Sequence, residues 1–139
     1  MNHSHLHHAH IFSSDISKSL EWWKSNFDAV IYFDGEMGGS RNIFIKVGEG
    51  RLHLYDQQPR GLDFNAIHHL GIRVLNIDEA VLRMRDNGVN FRNSVRRFEG
   101  WSYIMCSAPD NILLEVFEVS GNLENKNLRE YFSDSSSEF

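Results

Sequence analysis

Two stretches of the chain align without a gap. HAHIFSSDISKSLEWW, starting at His8, runs in step with HLGIRVLNIDEAVLRM, starting at His69, at an offset of 61 residues. A repeat of this length restricts the fold to two copies of one supersecondary unit, because each copy builds the same elements in the same order. Each opens with a short alternating run, reaches a capping residue (Asp15 or Asn76) and continues with helical periodicity. Ile16, Leu20, Trp23 and Phe27 form the apolar stripe of the first helix; Ile77, Val81, Met84 and Gly88 recur at the same intervals in the second. Asn76 and Glu79 have the spacing of a capping box.

Three β-like runs follow each helix. In the first copy they are 29–33, 42–47 and 51–56, the last two joined tightly through Gly48-Glu49-Gly50. In the second they are 89–91, 101–106 and 112–119, with Ala108-Pro109-Asp110-Asn111 as a turn. Both halves therefore read βαβββ, an α+β chain with module one at about 7–57 and module two at about 66–119, linked by 57–65. One domain is expected over residues 1–139, since a chain of this length supports a single core. The stretch 120–139 reads as a tail, with one helical turn in LREYF and disorder in the polar SDSSSEF.

Alternation along the strands assigns each histidine a face. Leu70, Ile72 and Val74 mark the side that packs on a helix, which leaves His69 and Arg73 on the opposite side. By the same count His8, His10 and Phe12 share that open side, while His7 turns inward with Ala9 and Ile11. Leu52 and Leu54 pack, so Arg51, His53 and Tyr55 face away; Leu114 and Val116 pack, so Glu115 and Phe117 face away. Each copy thus carries one donor on its first strand and one on its last: His8 and His53, then His69 and Glu115. Three imidazoles and a carboxylate suit one divalent ion such as Zn, Ni, Co, Mn or Fe. His3, His5 and His7 are read as tail residues. The open face also carries Phe12, Phe44, Lys46, Tyr55, Arg73, Trp101 and Tyr103, a lining of aromatics and cations suited to a small oxygenated substrate.

Charge and hydropathy exclude other partners. A net charge of −5 without a Lys/Arg run gives no footprint for nucleic acid or an anionic membrane. No apolar stretch approaches the roughly 18 residues of a membrane span, and no signal peptide is legible, so the expected location is cytoplasmic. The lone cysteine, Cys106, sits between apolar neighbours and reads as a buried structural thiol.

The paired modules, the openings HHAHIFSSDISKSLEWW and HHLGIRVLNIDEAV, and the closing APDNILLEVFE resemble the vicinal oxygen chelate superfamily, which includes glyoxalase I, methylmalonyl-CoA epimerase, fosfomycin-resistance proteins and extradiol dioxygenases. The resemblance spans roughly residues 7–119. It implies a mixed sheet curved around a cleft with the helices outside and metal ligands at His8, His53, His69 and Glu115; a homodimer is expected because the short, open sheets of such modules have edges that are normally covered. It also implies a metal-dependent lyase or isomerase, with a ferrous dioxygenase or an antibiotic-binding resistance protein as alternatives. Glu115 is expected to double as the proton-transfer base, with His10 as its rival. Phe12 stands where glyoxalase I carries a glutathione-contacting arginine, so a glutathione hemithioacetal is expected to be a poor substrate.

Overall fold

The computed structural model describes residues 6–61, 67–121 and 123–133. Within them the chain divides into two compact units, one formed by Met1–Asn65 with Ala108–Asn111, the other by Ala66–Ser107 with Ile112–Phe139. Part of the 57–65 linker, like His3, His5 and residues 134–139, lies outside the described residues.

The first unit runs β1 (Ala9–Ser13), α1 (Ile16–Phe27), β2 (Val30–Met37), β3 (Ser40–Val47) and β4 (Gly50–Asp56). Its sheet has the order β1-β4-β3-β2, with β1 parallel to β4 and the other pairs antiparallel. α1 starts where the side chain of Asp15 accepts from the Lys18 backbone N–H, and its Ile16, Leu20 and Trp23 are buried. They meet the sheet face formed by Ile43, Ile45, Leu52 and Leu54, as the alternation requires. Burying each such side chain contributes about 1.5–3 kcal/mol. The turn at 109–111 belongs to this unit: Ser14 donates from its backbone N–H to the Asp110 carboxylate at 3.2 Å. Asp110 and Asn111 take left-handed φ of 63° and 59°, a conformation that Asp and Asn tolerate best after glycine.

The second unit contains β5 (Leu70–Arg73), α2 (Ile77–Asp86), β6 (Arg96–Phe98), β7 (Trp101–Ala108, whose last residue clusters with the first unit), β8 (Ile112–Val119) and α3 (Lys126–Tyr131). The order β5-β8-β7-β6 repeats that of the first sheet, again with the first strand parallel to the last. Asn76 caps α2 by accepting from the Glu79 N–H, and Ile77, Val81 and Met84 are buried; Gly88, the fourth position of the expected stripe, lies past the helix end. Ile104, Cys106, Leu114 and Val116 form the sheet side of this core.

The two βαβββ modules match the expected fold, with two differences in strand extent. β2 and β3 run on to a hairpin at Gly38-Gly39, both at positive φ, rather than stopping at 33 and starting at 42. Residues 89–91 form no strand; the edge strand beside β7 is β6 at 96–98, folded back on β7 through Glu99-Gly100 with Phe98 opposite Trp101. Val89 instead closes the end of α2, its N–H bonded to the Met84 carbonyl, and packs as a buried residue.

Candidate metal centre

On the first sheet the register sets His10 beside His53 and Phe12 beside Tyr55, with Phe44 across from His53. Their rings meet on the face away from α1. The His10 imidazole stacks on His53 with centroids 4.2 Å apart, the His8 ring lies 6.2 Å from His53, and Phe44 meets His53 edge-on at 4.4 Å. Phe12 and Tyr55 extend the cluster, 6.1 Å apart. The face assigned by alternation to His8, His10, Phe12, Phe44, His53 and Tyr55 is the one on which they gather.

His53 is held by a residue that the pattern of histidines did not single out. The buried Asn42 donates its amide N–H groups to the carbonyls of Met37 (3.1 Å) and Ser40 (2.9 Å), which fixes the amide orientation and leaves Oδ1 as an acceptor. Nε2 of His53 lies 2.6 Å from that oxygen and is therefore the protonated nitrogen, so Nδ1 carries the lone pair. Burial, reinforced by the charges of His10 and His8, holds the His53 pKa below the usual imidazole range. The signal for Asn42 was present in the sequence: it shares the parity of Phe44 and Lys46, which puts a polar amide on the same side of the strand as those residues.

Two histidines outside the expected ligand set also stand beside it. Nδ1 of His7 lies 3.1 Å from Nδ1 of His8, and Nδ1 of His68 lies 2.8 Å from Nδ1 of His69. Each contact engages the Nδ1 of the second histidine and does not involve its Nε2. Strand alternation does not reach His7 or His68, which lie two residues before the starts of β1 at Ala9 and β5 at Leu70. His7 accordingly lines a cavity with His8 instead of packing inward.

On the second sheet, Nε2 of His69 lies 3.7 Å from Oε2 of Glu115, with both side chains partly exposed. Glu115 sits opposite Gly71, where the ring of Phe117 comes within 3.4 Å of the space a Cβ would occupy. A neutral imidazole nitrogen and a carboxylate oxygen facing each other fit a shared divalent ion, whose N and O donors sit about 2.0–2.2 Å from the metal. Among the described residues no group of three or more His, Cys, Asp or Glu side chains is gathered to hold a metal ion. The expected ligands thus come as two pairs, His8 with His53 in one unit and His69 with Glu115 in the other.

The remaining expected substrate residues divide as well. Trp101 and Tyr103 stack in parallel with Phe98, at centroid distances of 5.3 Å and 4.6 Å from Trp101. Arg73 is engaged: its guanidinium donates to the carbonyl of Phe132, whose ring packs on Phe117 at 5.8 Å. The segment expected as a tail therefore includes α3 and rests on the face that carries Arg73 and Phe117. Lys46 places its ammonium 5.1 Å from the centre of the Tyr32 ring.

With the repeat, the sheet order and the placement of these histidines in hand, comparison with known families is decisive. Residues 5–116 match the family described as Glyoxalase/Bleomycin resistance protein/Dioxygenase superfamily. The chain belongs to that superfamily. The glyoxalase-superfamily fold is shared with a glyoxalase family protein from Enterococcus faecalis, at 20% identity over 85% of this chain and 100% of the other with a TM-score of 0.70. It is shared with a glyoxylase/bleomycin resistance protein/dioxygenase domain from Frankia sp. EAN1pec (17% identity, 88% and 96% coverage, TM-score 0.72). It is also shared with a fosfomycin resistance protein, FosX, from Listeria monocytogenes, complexed with Mn(II) and 1S,2S-dihydroxypropylphosphonic acid (21% identity, 87% and 95% coverage, TM-score 0.69). No curated protein matches this superfamily member.

Proposed function

We propose that this protein is a metal-dependent enzyme of the glyoxalase-like type, a lyase or isomerase that moves a proton on a small oxygenated substrate. The observation that carries the reading is the His69–Glu115 pair, 3.7 Å apart, together with the repeat-related His8 and His53 on the corresponding face of the first sheet. One divalent ion is bound by His8, His69 and Glu115, with His53 as a fourth donor. Mn(II) in the Listeria FosX complex is consistent with a divalent ion on this fold. His53 offers Nδ1, because Asn42 engages its Nε2. When bound, the ion supplies Lewis-acid polarisation of two neighbouring substrate oxygens.

The protein's own groups supply the rest. Glu115 is the anionic member of the set and would act as the base toward the substrate carbon, with the Phe117 ring limiting water. His10 is the rival base, its ring held against His53 and Phe12. Phe12, Phe44 and Tyr55 form an aromatic wall on the first sheet, and Trp101 and Tyr103 one on the second. Arg73 reaches substrate only when Phe132 gives up its bond.

A panel of small α-hydroxy and α-keto acids, incubated in D2O with protein loaded with Zn, Ni, Co, Mn or Fe(II), tests this reading by NMR. Deuterium is expected at the carbon next to the carbonyl without oxygen uptake. Exchange should fall on the order of 100-fold in Glu115→Gln at matched metal occupancy, the usual contribution of a general base. Oxygen consumption confined to the Fe(II) form would favour the dioxygenase, and binding without turnover a sequestering resistance protein. A loss in His10→Gln with retention in Glu115→Gln would move the base to His10.

A further inference from the structure

The hairpin of β3 and β4 sets two cations directly opposite each other. Lys46 pairs with Arg51 in the register, so both side chains leave the sheet on the same face, and both are half-buried. Like charges in that relation repel, and the repulsion grows as water is displaced. Among the described residues neither cation forms an ion pair, and Glu49, in the turn joining the two strands, pairs with neither. The Tyr32 ring holds the Lys46 ammonium, which orients the charge without neutralising it. Both cations line a cavity of about 430 Å³ within the first unit, and His8 and His53 line it too. Its surface, those four side chains included, is largely apolar, with Phe44 and Tyr32 as walls.

We infer that this cavity is an oxyanion subsite: Lys46 and Arg51 together bind the phosphonate, phosphate or carboxylate group of a small acid whose apolar body lies against Phe44 and Tyr32. The arrangement has a use for each part. Arg51 offers a planar fork of donors and Lys46 a point charge, and a single anion between them converts a repulsion into two charge-assisted contacts. An anion held here brings the rest of the molecule to His8 and His53. The inference rests on the proposed function in taking this face as the substrate side, and it names the substrate class: an acid rather than a neutral sugar, aldehyde or phenol.

The test uses the full chain stripped of metal with EDTA, so that its outcome is independent of metal binding. Phenylphosphonate, titrated calorimetrically at constant ionic strength, is expected to bind and to raise the melting temperature. Benzyl alcohol, of similar body but neutral, is expected to do neither. Lys46→Gln and Arg51→Gln should each weaken phenylphosphonate binding on the order of tenfold or more, the loss of one charge-assisted contact. Without the anion both variants should melt at or above the wild-type temperature, because each relieves the repulsion. Lys18→Gln, an exposed position on α1, should bind like wild type. In NMR of the wild-type chain, phenylphosphonate should shift the resonances of Phe44, Tyr32 and His53 and leave those of Trp101 and Tyr103 in place. The subsite is overturned if the two variants bind as wild type does, if benzyl alcohol binds equally, or if the shifts fall on Trp101 and Tyr103. Failure of the wild-type chain to bind at millimolar anion overturns it as well. Should the anion bind here while the protein fails to bind any divalent ion, the oxyanion subsite stands and the metal reading falls.

Discussion

Asn42 and Cys106 show how a side chain's surroundings, rather than its type, set its chemistry. Burial pushes the Cys106 thiol up to about 11, so at pH 8 the thiolate is on the order of one part in a thousand. Iodoacetamide should therefore label native protein slowly and unfolded protein at the rate of a free cysteine; fast labelling of native protein would contradict the buried placement. His53 moves the other way, its pKa lowered chiefly by burial. A group that resists protonation when folded contributes stability that is complete above the unfolded imidazole value near 6.5 and is lost as pH falls through the lowered one. Metal-free wild-type protein should lose stability to urea as pH drops below about 6.5, and His53→Gln should flatten that slope. An unchanged slope would mean that His53 is no harder to protonate folded than unfolded. At this scale the sequence showed which face each strand histidine occupies, because alternation is a local property. It could not show which ring nitrogen is engaged: that depends on Asn42, eleven residues away on another strand, and on the doublets 7–8 and 68–69, which precede their strands.

Helices and turns carry the repeat. Asp15 and Asn76 each accept a backbone N–H at the start of their helix, from Lys18 and Glu79. Replacing either with alanine should cost about 1 kcal/mol in urea unfolding, the usual value of an N-cap; no change in both would mean that neither helix start depends on its cap. Both helices were legible because a capping residue and an apolar stripe coincide. The strands were legible where apolar residues alternate, as in β4 and β8. β6 was not, because three residues carry no period; the missed signal was Glu99-Gly100, a two-residue hairpin loop whose Gly100 has φ 83°. Gly38-Gly39 is the same lesson, a turn that lengthens both of its strands.

For the whole molecule, the first sheet leaves β2 as an edge strand with Val30, Ile31, Tyr32 and Phe33 exposed. Natural sheets normally cover or blunt such an edge. We propose a homodimer that covers it: light scattering should give twice the chain mass, and Ile31→Lys should shift the population towards monomer. A monomeric wild-type mass would count against it. No described helix is long and apolar enough to cross a membrane. The central claim concerns the four donors that the repeat supplies, and elemental analysis of dialysed protein tests it most directly. Wild-type protein loaded with Mn or Zn should retain one ion per chain. His8→Ala, His69→Ala and Glu115→Ala, folded by circular dichroism, should retain far less, and His53→Ala should fall between. Retention of one ion per chain in His69→Ala and Glu115→Ala would contradict the account.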